Sequence, residues 1–133
     1  MTYSKTYLSS LTEDDGGPIY NFLSNKAEIY SAIKEEVDNL KNNNQKVDYA
    51  ILLTNVGMDV EEYTSNEILS NLQNVDTVFD GQTHNAYNIT TKDKTNRDIH
   101  ITQTETKLAN IGQLTIKQDG IILSENIGQV PET

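Results

Sequence analysis

The feature that most constrains this chain is a pair of short apolar runs, each preceded by helical periodicity and each ending at a polar loop. From Lys26 to about Asn42, Tyr30, Ile33, Val37 and Leu40 recur at intervals of three and four, with Ala27 on the same face and "KEEVDNLK" on the solvated side. That spacing predicts an amphipathic helix, ended at "KNNNQK" because asparagine competes with the helical backbone and tolerates the cap conformation. The next run, "VDYAILLT", is almost continuously apolar from Tyr49 to Leu53, the pattern of a strand covered on both faces. The chain then turns at "TNVGMD", where Asp59 can cap a second helix and Glu62 can complete a capping box. Ile68, Leu69 and Leu72 would form that helix's buried face. A second buried strand, Val75 to Phe79, stops at "DG" and opens into the polar loop "DGQTHN".

Helix, strand, helix, strand is the order of a parallel sheet with helical crossovers. Both loops then lie at one edge of the sheet, the edge where α/β proteins keep their chemistry, and Asn55 and His84 face a common crevice. After the polar stretch "AYNITTKDKTNRD" the sequence alternates in "IHITQT" and "GQLTIKQDGIILS", and Asp-Gly between "LTIK" and "IILS" predicts a hairpin. The expected fold class is therefore α/β: a partial parallel sheet with flanking helices and a C-terminal antiparallel hairpin that closes off the sheet. Residues 26–124 form this domain, residues 125–133 a tail, and residues 1–25 a weakly patterned N-terminal segment. The breaker cluster "DDGGP", Asp14 to Pro18, lacks the ligand spacing of a calcium loop and marks a surface turn.

Bulk properties exclude several function classes. The chain has 133 residues, a formal net charge of -10, a mean hydropathy of -0.58 and no cysteine. Such acidity opposes nucleic-acid binding, which needs basic patches aimed at phosphates, and opposes an anionic membrane surface. Without cysteine there is no disulfide framework, thiolate nucleophile or thiolate metal site, and the compartment is left open. No apolar run reaches membrane-spanning length, and no signal peptide is visible. "NIT" at Asn88 to Thr90 fits the glycosylation triplet, a weak signal in so asparagine-rich a chain.

Four blocks, "DYAILLTNVGMD", "LQNVDTVFDGQTHN", "IHITQTETKLANIGQLTI" and "QDG", resemble in order and spacing the second half of the calcineurin-like metallophosphoesterase domain, in its 5'-nucleotidase branch. Members of that branch show an apolar strand ending "LSHLG" or "LTHLG", then "GIDVIIDGHSH", then a strand such as "LGRLTL" before an aspartate-containing turn. The likeness covers about residues 26–124. It implies a two-metal hydrolase of phosphate esters in which metal-activated hydroxide attacks phosphorus. It would suit an extracellular, cell-surface or periplasmic parent protein.

This sequence departs from that pattern at the ligands. Nothing in the first 50 residues offers the family's Asp-x-His or Asn-His motifs, and the only histidines are His84 and His100. Asn55 and Gln82 stand where the family has metal-binding histidines, and His84 keeps a position where members carry histidine or glutamine. Amide oxygens are far poorer ligands for zinc or manganese than imidazole nitrogens. A site holding two cations about 4 Å apart needs several anionic or imidazole ligands against their mutual repulsion. No catalytic residue is expected in this chain and His84 is the one candidate metal ligand, so no cofactor is expected for the chain alone. Zinc or manganese would enter only if a complementary segment completed the site. The expected function is a degenerate, non-catalytic relative of the 5'-nucleotidases acting through binding or assembly, the alternative a fragment of a larger phosphohydrolase.

The plainer explanations are local. Asp80, Gly81 and Gly57 suit turns, Asn55, Gln82 and His84 suit loop-to-backbone hydrogen bonds, and His100 points away from Ile99 and Ile101. Gln103 stands where the resembling family turns back toward the active-site edge, and a solvent-facing strand position explains it equally well. An apolar sheet edge left open by the missing half predicts either a homodimer through that edge, a complementary N-terminal half of the domain, or residues 3–12 folded over it.

Overall fold

The computed structural model describes residues 25–42, 46–59, 63–120 and 122–129, so the N-terminal segment, the Asp14 to Pro18 cluster and Glu62 lie outside the described residues. Helix α1, Lys26–Asn42, starts where the Asn25 side chain accepts a hydrogen bond from the Glu28 amide at 3.0 Å. Its buried stripe is Ile29 and Val37 with Tyr30 and Ile33 half-buried. Ala27 is exposed: the stripe runs from Ile29, one turn before Ile33. In the last turn Lys41 reaches the Asp48 carbonyl at 2.8 Å and the Asp76 carboxylate at 2.6 Å, a cation placed at the negative end of the helix.

Strand β1, Ile51–Leu53, is followed by helix α2, Ser65–Ser70, and strand β2, Thr77–Phe79. Asp59 does not cap α2. Thr64 does, its hydroxyl accepting from the Glu67 amide at 3.0 Å. Ile68, Leu69 and Leu72 are buried as the spacing requires. Strand β3, Ala86–Lys92, lies within the stretch expected to be a polar excursion: its alternation hides behind threonine and asparagine, and only Tyr87 and Ile89 give an apolar side. The β3 hairpin turns at Asp93, whose carboxylate accepts from the Thr95 amide and hydroxyl and from the Arg97 amide, and returns as β4, Asp98–Thr104.

These strands form one sheet in the order β1-β2-β4-β3, with β1, β2 and β4 parallel and β3 antiparallel at the far edge. The core lies on the helix side of this sheet, where Ala50, Val78, Ile99 and Ile101 meet Val37, Ile68, Leu69 and Leu72. The expected C-terminal hairpin is present as β5, Asn110–Ile116, and β6, Ile122–Gln129, turning through Lys117 and Gly120. It forms a separate two-stranded sheet laid on the other face of β3 and β4. β5 comes so close that a Cβ on Gly112 would sit 2.8 Å from Thr104 Cγ2. The Thr102 and Ser124 hydroxyls bond across this contact, and Asn126 donates to the Gln103 carbonyl at 2.9 Å. β6 runs to Gln129, through residues expected in a tail.

β1 departs most from expectation. A run apolar enough for a strand covered on both faces is, among the described residues, an edge strand with Ile51 45% and Leu53 61% exposed. Alternation sends Ala50 and Leu52 to the core and Ile51 and Leu53 to the other face.

Candidate functional site

Parallel pairing of Leu53 with Phe79 sets the two strand ends level, so the loops after β1 and β2 meet at the carboxyl edge as the topology predicts. Thr54 N–H donates to the Phe79 carbonyl at 2.9 Å, carrying the ladder one residue past the strands. Beyond that point Asp80 joins the loops. Its Oδ1 accepts from the Thr54 hydroxyl at 2.8 Å, the Val56 and Gly57 amides at 3.2 Å each, and its neighbour Gly81 N at 2.8 Å. Its Oδ2 accepts from the Tyr87 hydroxyl at 2.9 Å. The single Thr54 proton goes to this carboxylate, so the buried Ser65 hydroxyl, 2.8 Å from Thr54 Oγ1, donates to Thr54 and ties in the start of α2. Asp80 does more than end a strand.

Tyr87 is held well above the usual tyrosine range, first by burial, then by the Asp80 charge and hydrogen bond. Behind it Gln103, 1% exposed, donates from Nε2 to the Thr83 hydroxyl at 2.6 Å and the Asn85 carbonyl at 2.7 Å. Its Oε1 lies 3.3 Å from the Tyr87 hydroxyl. Gln103 is thus a buried anchor of the second loop and not a solvent-facing strand residue. The signal was in its parity: Ile99, Ile101 and Gln103 are alternate residues of β4 and share the core face. Tyr87 could have been found in the same way, as the residue two before Ile89 in an alternating strand.

The two family positions come together. Asn55 Nδ2 donates to Gln82 Oε1 at 3.4 Å, both side chains half-buried. The close approach needs Gly81, where a Cβ would lie 2.5 Å from Asn55 Oδ1. Gln82 and His84 have positive φ, 90° and 58°, so the loop is bent through conformations that non-glycine residues seldom adopt. His84 is exposed and its side chain makes no hydrogen bond among the described residues, so it does not take the loop-to-backbone bond expected of it. His100 lies on the face opposite Ile99 and Ile101 as expected, its Nδ1 3.1 Å from the Thr90 hydroxyl. Asn88 lies apart from these loops, exposed on β3 opposite Thr102.

The donor set does not fit a pair of cations. Among the described residues no three histidine, aspartate or glutamate side chains gather where a metal could sit. Gln82 Oε1 accepts from Asn55 Nδ2, and both oxygens of Asp80 already serve donors of the chain. A carboxylate so occupied is no free base.

The elements and their order define a mixed α/β fold with a parallel-antiparallel sheet, few helices and a C-terminal antiparallel hairpin, consistent with part of a metallophosphoesterase fold. Among solved structures, that of Haemophilus influenzae NAD nucleotidase superposes with a TM-score of 0.55 at 17% identity over 71% of this chain. The matched part is 21% of that protein, so this chain spans about a fifth of its length. No protein-family model matches the sequence, and no curated protein matches it significantly. The likeness is one of fold. No helix among the described residues is long and apolar enough to cross a membrane.

Proposed function

We propose that this chain is a degenerate, non-catalytic relative of 5'-nucleotidase-type metallophosphoesterases that acts through binding or assembly. The observation that carries this reading is the Asn55–Gln82 amide pair at 3.4 Å, where the resembling family places imidazoles. Gln82 Oε1 already accepts from Asn55 Nδ2, and amides standing in place of histidines offer a dication far less affinity than imidazole nitrogens would. His84 alone supplies one imidazole on an exposed loop. Isothermal titration of the chain with Mn²⁺ and Zn²⁺, beside His84→Ala and a phosphomonoesterase assay, tests the proposal. Binding in the millimolar range or weaker, indifferent to His84 and without hydrolysis, is expected. Micromolar binding that vanishes in His84→Ala would overturn it.

That second outcome would favour the alternative, a segment of a larger two-metal phosphohydrolase acting on nucleotide phosphate esters. Its specific support is that the fold match takes in 21% of the NAD nucleotidase chain. In that case His84 would join ligands supplied by another segment.

A further inference from the structure

The β5–β6 hairpin is attached unlike the rest of the fold. Among the described residues no backbone hydrogen bond joins it to the four-stranded sheet, and none of its side chains belongs to the core beside the helices. Of its described residues only Ser124 is buried, while Ile111, Ile116 and Ile127 are exposed. Its footing on β4 is polar: the Ser124 hydroxyl meets that of Thr102, and Asn126 Nδ2 donates to the Gln103 carbonyl at 2.9 Å. The footing is also imperfect. Asn126 Oδ1 is shut from solvent there with no hydrogen-bond partner among the described residues, a deficit that water repairs once the hairpin lifts.

The link from β4 to β5 is strained. Ala109 N–H donates to the Thr106 carbonyl at 3.1 Å, closing a turn whose central residues, Lys107 and Leu108, have φ of 54° and 60°. Positive φ at both central positions marks a type I′ turn, which Asn-Gly fills readily and Lys-Leu does not. Glu105, just before it, has φ 75°. Leu108 is 83% exposed, so packing of its side chain does not offset the cost. A hydrogen bond across the bend, from Asn110 Nδ2 to Glu105 Oε2 at 2.9 Å, helps to hold it. Returning these residues to negative φ redirects the chain as it leaves β4, so relief of the strain and lifting of the hairpin are one event. We propose that β5–β6 is a strap that opens as a unit on the Glu105–Leu108 link, baring Phe79, Thr102 and Thr104 on the side of the sheet it covers. A lone two-stranded hairpin is marginal in water, so the strap's own ladder comes apart when it lifts. This device goes beyond the binding or assembly role proposed above and stands whether or not the chain binds metal.

Native-state amide exchange on the full chain, in water and in low urea, tests this. The ladder amides of β5 and β6 should exchange together, with one common urea dependence. They should do so at least roughly a hundredfold faster than the amides of Val78 and Ile101 in the interior strands. Lys107→Asn with Leu108→Gly supplies the residues a type I′ turn favours, and should slow exchange of the strap at least roughly threefold. Thr102→Cys with Ser124→Cys, oxidised in a chain that has no other cysteine, should raise the strap's protection toward that of the interior strands, and reduction should release it. Exchange of the wild-type strap in step with Val78 and Ile101 would overturn the proposal, whatever the variants do. So would strap amides that exchange one by one without a common urea dependence, or a strap that opens as readily with Asn-Gly in its link.

Discussion

Asp80→Ala is the perturbation that most directly tests how the loop edge is held. The change removes an acceptor serving three backbone amides and two hydroxyls at 2.8–3.2 Å. A hydrogen bond to a charged group contributes about 1.5–3 kcal/mol, but half-exposed donors recover part of this from water. Gly81 N–H and the Thr54 hydroxyl lie toward solvent or have a second partner in Ser65. The Val56 and Gly57 amides and the Tyr87 hydroxyl are left with the larger deficit, because Gly57 is buried and Tyr87 half-buried. At about 1 kcal/mol each, the expected loss of stability is about 3 kcal/mol. Asp80→Asn should cost about half as much. Its remaining oxygen can serve the four donors on Oδ1, and Tyr87 can turn its proton to Gln103 Oε1, 3.3 Å away, and accept from the new amide. Urea unfolding at neutral pH, with the slope unchanged between variants, measures both differences. An Asp80→Ala chain within about 1 kcal/mol of wild type would refute the reasoning, as would equal losses for alanine and asparagine.

Gly81→Ala should force Asn55 to turn away from the added Cβ, breaking its contact with Gln82 at a cost of about 1 kcal/mol. The same change in an Asn55→Ala background should cost almost nothing, a non-additivity that a double-mutant cycle reads directly. Asp93 supplies a pH prediction. Burial pushes its carboxyl up, but the hydrogen bonds from Thr95 and Arg97 outweigh it and hold the group below its ordinary value. A depressed carboxyl stabilises the fold above the unfolded value near about 4 and loses that contribution as pH falls through the folded value. The stability gap between wild type and Asp93→Asn, followed by unfolding at successive pH, should therefore narrow as the solution is acidified below pH 4. Finally, Asn55→His with Gln82→His should bind Zn²⁺ at least roughly tenfold more tightly than wild type in titration calorimetry, because two imidazoles then replace two side chains that already meet across the loops. Unchanged affinity would mean that the loop geometry, and not its chemistry, rejects the metal.

Much of this fold was legible where periodicity carried it. The stripe of α1, the buried side of α2 and the Asp-Gly hairpin were found because apolar spacing and turn chemistry report local structure. The meeting of the two loops followed from strand order, since parallel strands bring their carboxyl ends to one edge. What escaped the sequence depended on neighbours. Ile51 and Leu53 are apolar whether a strand is central or at an edge, so composition could not say that β1 has a single strand neighbour among the described residues. Strand β3 escaped because threonine and asparagine fill its outward positions, and its place beside β4 settles a segment whose own pattern is weak. Thr64 displaced Asp59 as the cap because α2 is short and starts where its first residue, Ser65, meets Thr54 and Gly57.

In the resembling family the loop edge is cross-linked by cations shared between the strand ends. Here hydrogen bonds among the described residues cross-link the two loops. Asp80 clamps Thr54, Val56 and Gly57 to the end of β2, Gln103 pins Thr83 and Asn85 from below, and Asn55 and Gln82 close the gap between the loops. Each of these contacts uses a group whose partners are supplied by the chain, so the positive φ angles at Gln82 and His84 are held by hydrogen bonds on both sides of the bend. The Asp80 carboxylate network holds the loops through groups other than the Asn55 and Gln82 side chains, which add one hydrogen bond across the gap. The shape of the loop edge is therefore carried by backbone amides, hydroxyls and one carboxylate that the chain itself supplies.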